Sequence, residues 1–156
     1  MLTLLDTTVL SNFARVRLNH IPQLLWGNQV FVALEVIEEY KIGTRTAGLP
    51  PRAWQEMRLL RTSAHEQALE RTMPQRLGKG ERASIAIAYV RGAAFATDDS
   101  FARQVAYGLG IQVTGTVGIL QRCIQRKLLS CAQAQKALDE MIVHGYRSPT
   151  RLLIDE

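Results

Sequence analysis

The stretch ATDDSFARQVAYGLGIQVTGTVGIL, residues 96–120, decides the fold class. It continues a short apolar run, AAFAT (93–97), which stops at two acids, Asp98 and Asp99. Ser100 to Tyr107 then carries a helical pattern, closed by Gly108 and Gly110. Ile111 to Thr114 is a second strand-like run, and Val117 to Lys127 is a second helix. Strands that alternate with helices in this way imply a parallel sheet, because parallel neighbours need a crossover connection.

Outward from this stretch the alternation recurs. MLTLL (1–5) is an apolar run that ends at Asp6, and Thr8 to Val16 can follow it as a helix. Val30 to Val32 reads as a strand, and Leu34 to Ile42 as a helix with Gly43 as its stop. Thr44 to Pro51 is a turn-rich connector, Ala53 to Leu60 a weakly amphipathic helix, and Arg61 to Ala64 a short strand. His65 to Lys79 is polar and has no clear period. Gly80 to Arg91 is a helix ended by Gly92, and Cys131 to His144 is another. Ser148 and Pro149 have the chemistry of a cap and first turn, which predicts a short terminal helix. There is no internal repeat and no dividing linker. The expectation is one α/β domain over residues 1–156, with a mostly parallel sheet.

Composition narrows the classes. The chain has 156 residues, 47% of them hydrophobic, enough for a substantial core. No run of apolar residues is long enough to span a membrane. The amino terminus lacks the basic start and cleavage site of a signal peptide. The two cysteines, Cys123 and Cys131, are too few for a disulfide scaffold or a zinc module. A cytoplasmic location is expected. The net charge is +5, and fifteen of the nineteen basic residues are Arg, whose planar fork suits phosphate. Between Ser100 and Leu138 there is no acid, whereas Arg103, Arg122, Arg126, Lys127 and Lys136 fall there. The balance favours a polyanionic partner.

The acids carry the chemistry. In open α/β sheets the working site lies beyond the carboxyl ends of the strands. Asp6, Asp98 and Asp99 follow strand ends directly, and Glu38, Glu39 and Glu81 lie on adjoining helices. Each has an ordinary structural use as well. Asp6 or Asp99 can cap a helix, Glu81 can oppose the macrodipole of a helix opening at Gly80, and Glu38 and Glu39 can be solvated. Together they suit a hard divalent cation, Mg²⁺ or Mn²⁺, since no His or Cys is close in sequence. Such an ion is well suited to phosphodiester cleavage.

LLDTTVLSNF (4–13), EVIEEY (35–40), GKGERASIAIA (78–88) and the 96–120 stretch, in that order, resemble a PIN domain. The resemblance is closest to the VapC-like branch of predicted nucleic-acid-binding proteins and covers residues 2–150. It implies a three-layer α/β/α domain with a central five-stranded sheet and a pocket of acids binding Mg²⁺ or Mn²⁺. Asp6 matches the first family acid, in D-T-T-V-L. Glu39 matches the second, counted from Val36, with Glu38 as its neighbour. Glu81 matches the acid of G-E-x-x-A-I, here GERASI. Thr97-Asp98-Asp99 offers two residues for the last acid, and the common T-x-D spacing favours Asp99. Ser11 and Asn12 match polar positions near the first acid, and Thr114 and Thr116 flank the T-G-T turn. Ala33 stands where this branch usually has proline.

The resemblance further implies a ribonuclease in which Asp6, Glu81 and Asp99 or Asp98 ligate the ion directly or through water, and Glu39 orients the nucleophilic water or a second ion. Ser11, Asn12, Thr116, Lys79 and Arg82 would then hold RNA. A toxin-like setting, an antitoxin protein and a homodimer are also implied. The alternative is a PIN fold that holds RNA or protein without turnover.

Other motifs carry less. His20, His65 and His144 are widely separated, and no phosphate-cradling G-x-G-x-x-G or G-K-[ST] is present. A receiver-type phosphoacceptor site would need paired acids at the first strand. A haloacid-type phosphatase would need an acid at position 8, which is Thr8.

Overall fold

Leu5 lies beside Ala96, and that pairing joins the two strands on which the molecule turns. A computed structural model describes residues 1–154. The strands are β1 (Thr3–Leu5), β2 (Val30–Ala33), β3 (Leu59–Leu60), β4 (Ala94–Ala96) and β5 (Val113–Thr114). They form one sheet in the order β3-β2-β1-β4-β5. Every pairing is parallel, so the sheet is wholly and not merely mostly parallel.

The order fixes where a site can form. From β1 the chain steps outward to β2 and β3, then returns across the sheet to β4 and continues to β5. Right-handed crossovers put connections running in opposite directions on opposite faces. A crevice therefore opens between β1 and β4, at their carboxyl ends.

The helices are α1 (Thr7–Arg15), α2 (Ile21–Trp26), α3 (Leu34–Thr46), α4 (Ala64–Glu70), α5 (Lys79–Arg91), α6 (Ser100–Gly108), α7 (Thr116–Gln125) and α8 (Cys131–Val143). Helix α5 lies against β1, β2 and β4 and is flanked by α3 and α4. It is buried continuously from Ala83 to Ala88, which explains a composition that is apolar on most sides. Helix α1 packs on α3, α7 and α8. Leu4, Leu5, Phe13, Ile85, Ile87, Phe95, Ile119, Leu120, Leu138 and Met141 are among the fully buried side chains between these layers. None of the described helices is long and apolar enough to cross a membrane.

The sequence expectations fail mainly in residues 44–70 and at the carboxyl terminus. Helix α3 does not stop at Gly43 but runs to Thr46. Leu49 folds back so closely that a Cβ on Gly43 would lie 2.7 Å from its Cδ1, so this glycine makes room for packing. Residues 53–60 are not a helix. Trp54 is a buried plug whose Nε1 donates to the Leu10 carbonyl at 3.2 Å, and Leu59–Leu60 pair with Val32–Ala33. The strand expected at 61–64 thus lies just upstream, at β3. The polar stretch after it contains α4, started by a capping box between Ser63 and Glu66. Helix α2, which the sequence reading missed, opens at an Ile21-Pro22 step. Ser148 and Pro149 start no helix; the Ser148 hydroxyl instead engages the Thr150 carbonyl.

Glu66 is the buried acid of this outer region, at 1% exposure. Arg91 grips it with Nε at 2.7 Å and Nη2 at 2.8 Å, fastening α4 to α5. The Arg91 hydrogen bonds, assisted by Ser63 and opposed by burial, hold the Glu66 carboxyl down at about 2. Arg91→Ala should cost about 2 kcal/mol at pH 7, because it leaves a buried charge without its cation while the partly exposed arginine end softens the loss. A carboxyl lowered by folding stabilises above its ordinary value, 4.5, and loses that effect as pH falls toward 2. Urea titrations should therefore show the deficit shrinking as the solution is acidified below pH 4.5. A deficit independent of pH would contradict this role for the pair.

Candidate active site

Asp6 begins where β1 ends. Its backbone N–H donates to the Ala96 carbonyl at 2.9 Å, so the residue is tied to β4 as well as β1. Its side chain caps α1, with Oδ1 accepting from the Thr7 N–H at 2.8 Å. Oδ2 accepts from the Thr97 hydroxyl at 2.6 Å and from the Thr8 hydroxyl at 3.3 Å. The carboxyl is 1% exposed. Burial pushes it up to about 7; the Thr97 hydrogen bond opposes this, and the charges of Glu81 and Glu39 add to it.

Glu39 and Glu81 reach the same rim from the two helices that flank each other. Glu39, on α3, accepts from the Thr7 hydroxyl at 2.8 Å through Oε2 and from the Gly80 N–H at 2.7 Å through Oε1. A Cβ on Gly80 would stand 2.9 Å from Oε1, so only glycine lets this carboxylate lie against the start of α5. Its neighbour Glu38 is exposed. Glu81, in the first turn of α5, accepts from the Gly78 N–H at 2.9 Å through Oε1. Burial raises its carboxyl above the ordinary value, the Gly78 N–H opposes that, and the charges of Asp99 and Glu39 reinforce it.

The two acids after β4 diverge. Asp99 caps α6, accepting from the Ala102 N–H at 2.8 Å, and its charge acts on Glu81. Asp98 faces the start of α7 and the end of α8. Its Oδ1 accepts from the Thr116 N–H at 2.8 Å and the Tyr146 hydroxyl at 3.3 Å. Its Oδ2 accepts from the Thr116 hydroxyl at 2.5 Å and Asn12 Nδ2 at 3.0 Å. Two hydroxyls join the halves of the rim. Thr97 Oγ1 accepts from the Asp99 N–H at 3.2 Å while donating to Asp6, and Thr8 Oγ1 accepts from the Asp98 N–H at 3.0 Å.

Of the polar residues expected near the site, Asn12 and Thr116 meet on Asp98 and on each other at 3.2 Å. Ser11 bonds back to the Thr7 carbonyl and lines the same cleft. Lys79 is exposed at the first position of α5. Arg82 directs its charge at Glu70. The cleft has a volume of about 440 Å³ and runs from Thr7 and Thr8 past Asp98 and Asp99 to Tyr146 and Arg147. Sequence reasoning missed Thr8 and Tyr146. Thr8 sits in the D-T-T run and could have been marked as a second hydroxyl there. Tyr146 carries no local signal, because its contact with Asp98 spans 48 residues.

The charges of Glu81 and Glu39 thus act on Asp6, and those of Asp99 and Glu39 on Glu81. An all-oxygen, anionic donor set suits Mg²⁺ or Mn²⁺. Among the described residues, no three His, Cys, Asp or Glu side chains form a group able to hold a metal ion as they stand. That arrangement fits an ion bound through one or two carboxylates, with waters and phosphate oxygens completing its shell, a habit of Mg²⁺.

A family model described as a PIN domain matches residues 2–155. Among curated proteins and among solved structures, nothing matches.

The raised Asp6 carboxyl makes a signed prediction. Between its unfolded value, 3.8, and about 7, the folded chain holds a proton that the unfolded chain has released. Wild-type stability should therefore fall as pH rises through that window and level off above it. Asp6→Asn removes the charge and keeps the shape. Without divalent ions, the variant should be more stable than wild type at pH 8, on the order of a few kcal/mol, and about equal near pH 4. Urea denaturation across this range checks it, and a variant that is the less stable of the two at pH 8 would contradict the assignment.

Proposed function

The chain belongs to the PIN-domain family, whose members are generally nucleases, and from that premise we propose that it is a Mg²⁺- or Mn²⁺-dependent ribonuclease. The observation that carries this reading is the buried Asp6 carboxyl, pushed up to about 7 at the β1–β4 crevice among like charges. A site built to repel its own charges gains most when a cation enters. One or two of Asp6, Glu81 and Asp99 would bind the ion directly and the rest through its waters, with Asp98 as the alternative to Asp99. When bound, it polarises a phosphate oxygen and makes water a stronger nucleophile.

The chain's own groups do the positioning. Gly80 N–H and Thr7 Oγ1 fix both oxygens of Glu39, leaving its outer lone pairs to orient the attacking water. Thr97 and Thr8 keep Asp6 in register with residues 98 and 99. Asn12 and Thr116 clamp Asp98, so their part in substrate binding is to set the cleft wall. Ser11 would face substrate in that cleft, and Lys79 and Arg82, in the first turn of α5 with Glu81, would supply cations near the acids. The finer reading, a toxin whose antitoxin covers the acids, rests on the family likeness; a small reading frame adjoining this one would support it.

One observation favours a second reading, an RNA- or protein-binding module without turnover. Both oxygens of Asp6 and of Glu39 already accept protein hydrogen bonds. A cleavage assay on single-stranded RNA separates the two. The ribonuclease reading expects cleavage with Mg²⁺ or Mn²⁺, abolition by excess chelator, and a loss of about 100-fold or more in Glu39→Gln with the fold retained. Cleavage undiminished in chelator would overturn the metal mechanism. Binding with no cleavage under any divalent ion would favour the module.

A further inference from the structure

Tyr107 is 80% exposed on α6, an unusual place for a large aromatic ring. It lines a groove of about 940 Å³ with Arg103, Gln112 and Arg122. A second hollow of about 260 Å³ shares Gln112, Val113 and Arg122 with the first and adds Arg126. The two meet around β5, the edge strand of the sheet. Among the described residues that line them there is no carboxylate. The groove also touches the acidic rim. Arg103 Nη1 donates to the Thr97 carbonyl at 2.9 Å. A Cβ on Gly115 would fall 2.8 Å from that Nη1 and 2.7 Å from Asp98 Oδ1, so Arg103 of the groove and Asp98 of the cleft both lie against this glycine.

We propose that single-stranded RNA runs from the acidic cleft over Gly115 and along this edge groove, with phosphates on Arg103, Arg122 and Arg126 and a base stacked on Tyr107. The proposal rests on the ribonuclease reading and gives its substrate a path. Three cations without a carboxylate complement a polyanion. Arginine forks pair with phosphate, and an open aromatic face stacks a base of any identity. A protein strand would gain little here, since β5 has only two residues with which to pair.

The test is fluorescence anisotropy with a labelled twelve-residue single-stranded RNA, in chelator so that nothing is cleaved. Wild type, Arg122→Gln/Arg126→Gln and Tyr107→Ala are compared. Lys41→Gln/Arg45→Gln, two exposed cations on α3, is the charge control. The arginine pair should weaken binding by about tenfold or more and make the log–log salt slope shallower by about 1.4, since each phosphate contact on a single strand contributes about 0.7. Tyr107→Ala should weaken binding about tenfold at unchanged slope, and the control should leave both readouts near wild type. If wild type binds RNA and all variants match it, the groove is not the path and the nuclease reading stands. If wild type binds no RNA either in chelator or, as a non-cleavable 2′-O-methyl strand, with Mg²⁺, the nuclease reading itself fails. If a polyglutamate peptide binds as tightly as RNA and Tyr107→Ala affects neither, the groove takes acidic protein and the proposal is overturned.

Discussion

A carboxylate buried at the point where the sheet reverses its order constrains the rest of this molecule. Asp6 must cap α1, accept from Thr97 across the β1–β4 seam, and remain close to Glu39 and Glu81. Each demand limits something else. The seam needs the parallel pairing of Leu5 with Ala96. The cap needs α1 to begin at once, with Thr7 supplying a backbone donor and Thr8 a hydroxyl to Asp6. The approach of Glu39 needs a glycine at position 80. Strands of two to four residues suffice because they mainly bring their ends together.

The polar scaffold divides into two parts with different electrostatics. On one side burial first, and then the charges of Glu39 and Glu81 on Asp6 and of Asp99 and Glu39 on Glu81, make Asp6 and Glu81 keep their protons more tightly than ordinary carboxyls. On the other side Asp98 is surrounded by donors: the Thr116 N–H and hydroxyl, Asn12 and Tyr146. The first arrangement stores repulsion that a cation can relieve. The second holds the β4 exit against α1, α7 and the turn after α8. Neighbouring acids in sequence thus have different surroundings, which follow from what the fold places opposite each.

This is also where the sequence could and could not be read. The acids at strand ends were legible because the signal is local: an apolar run stops and an acid follows. Parallel order was legible from the alternation of strands and helices. The distinct surroundings of Asp98 and Asp99 were not, because they depend on Asn12, Thr116 and Tyr146, brought together only by the fold. Glu39 and Glu38 could not be separated without knowing that Gly80 lies opposite the former. Residues 53–60 misled for another reason. Ala53, Trp54, Met57 and Leu60 have helical spacing, but Trp54 is buried by insertion against Leu10, not by lying on a helix face. Gly43 looked like a stop because a packing glycine and a terminating glycine are the same letter.

The charge state of Asp6 governs the whole site, and carboxyl ¹³C NMR reads it directly. Titrated without divalent ions, the Asp6 carboxyl should show a midpoint near 7, and saturating Mg²⁺ should move it down toward the ordinary carboxylate range, because a bound cation favours the anion. A midpoint close to 4 that is indifferent to Mg²⁺ would mean that the carboxyl is neither desolvated nor part of a cation site, and would contradict the account at its centre.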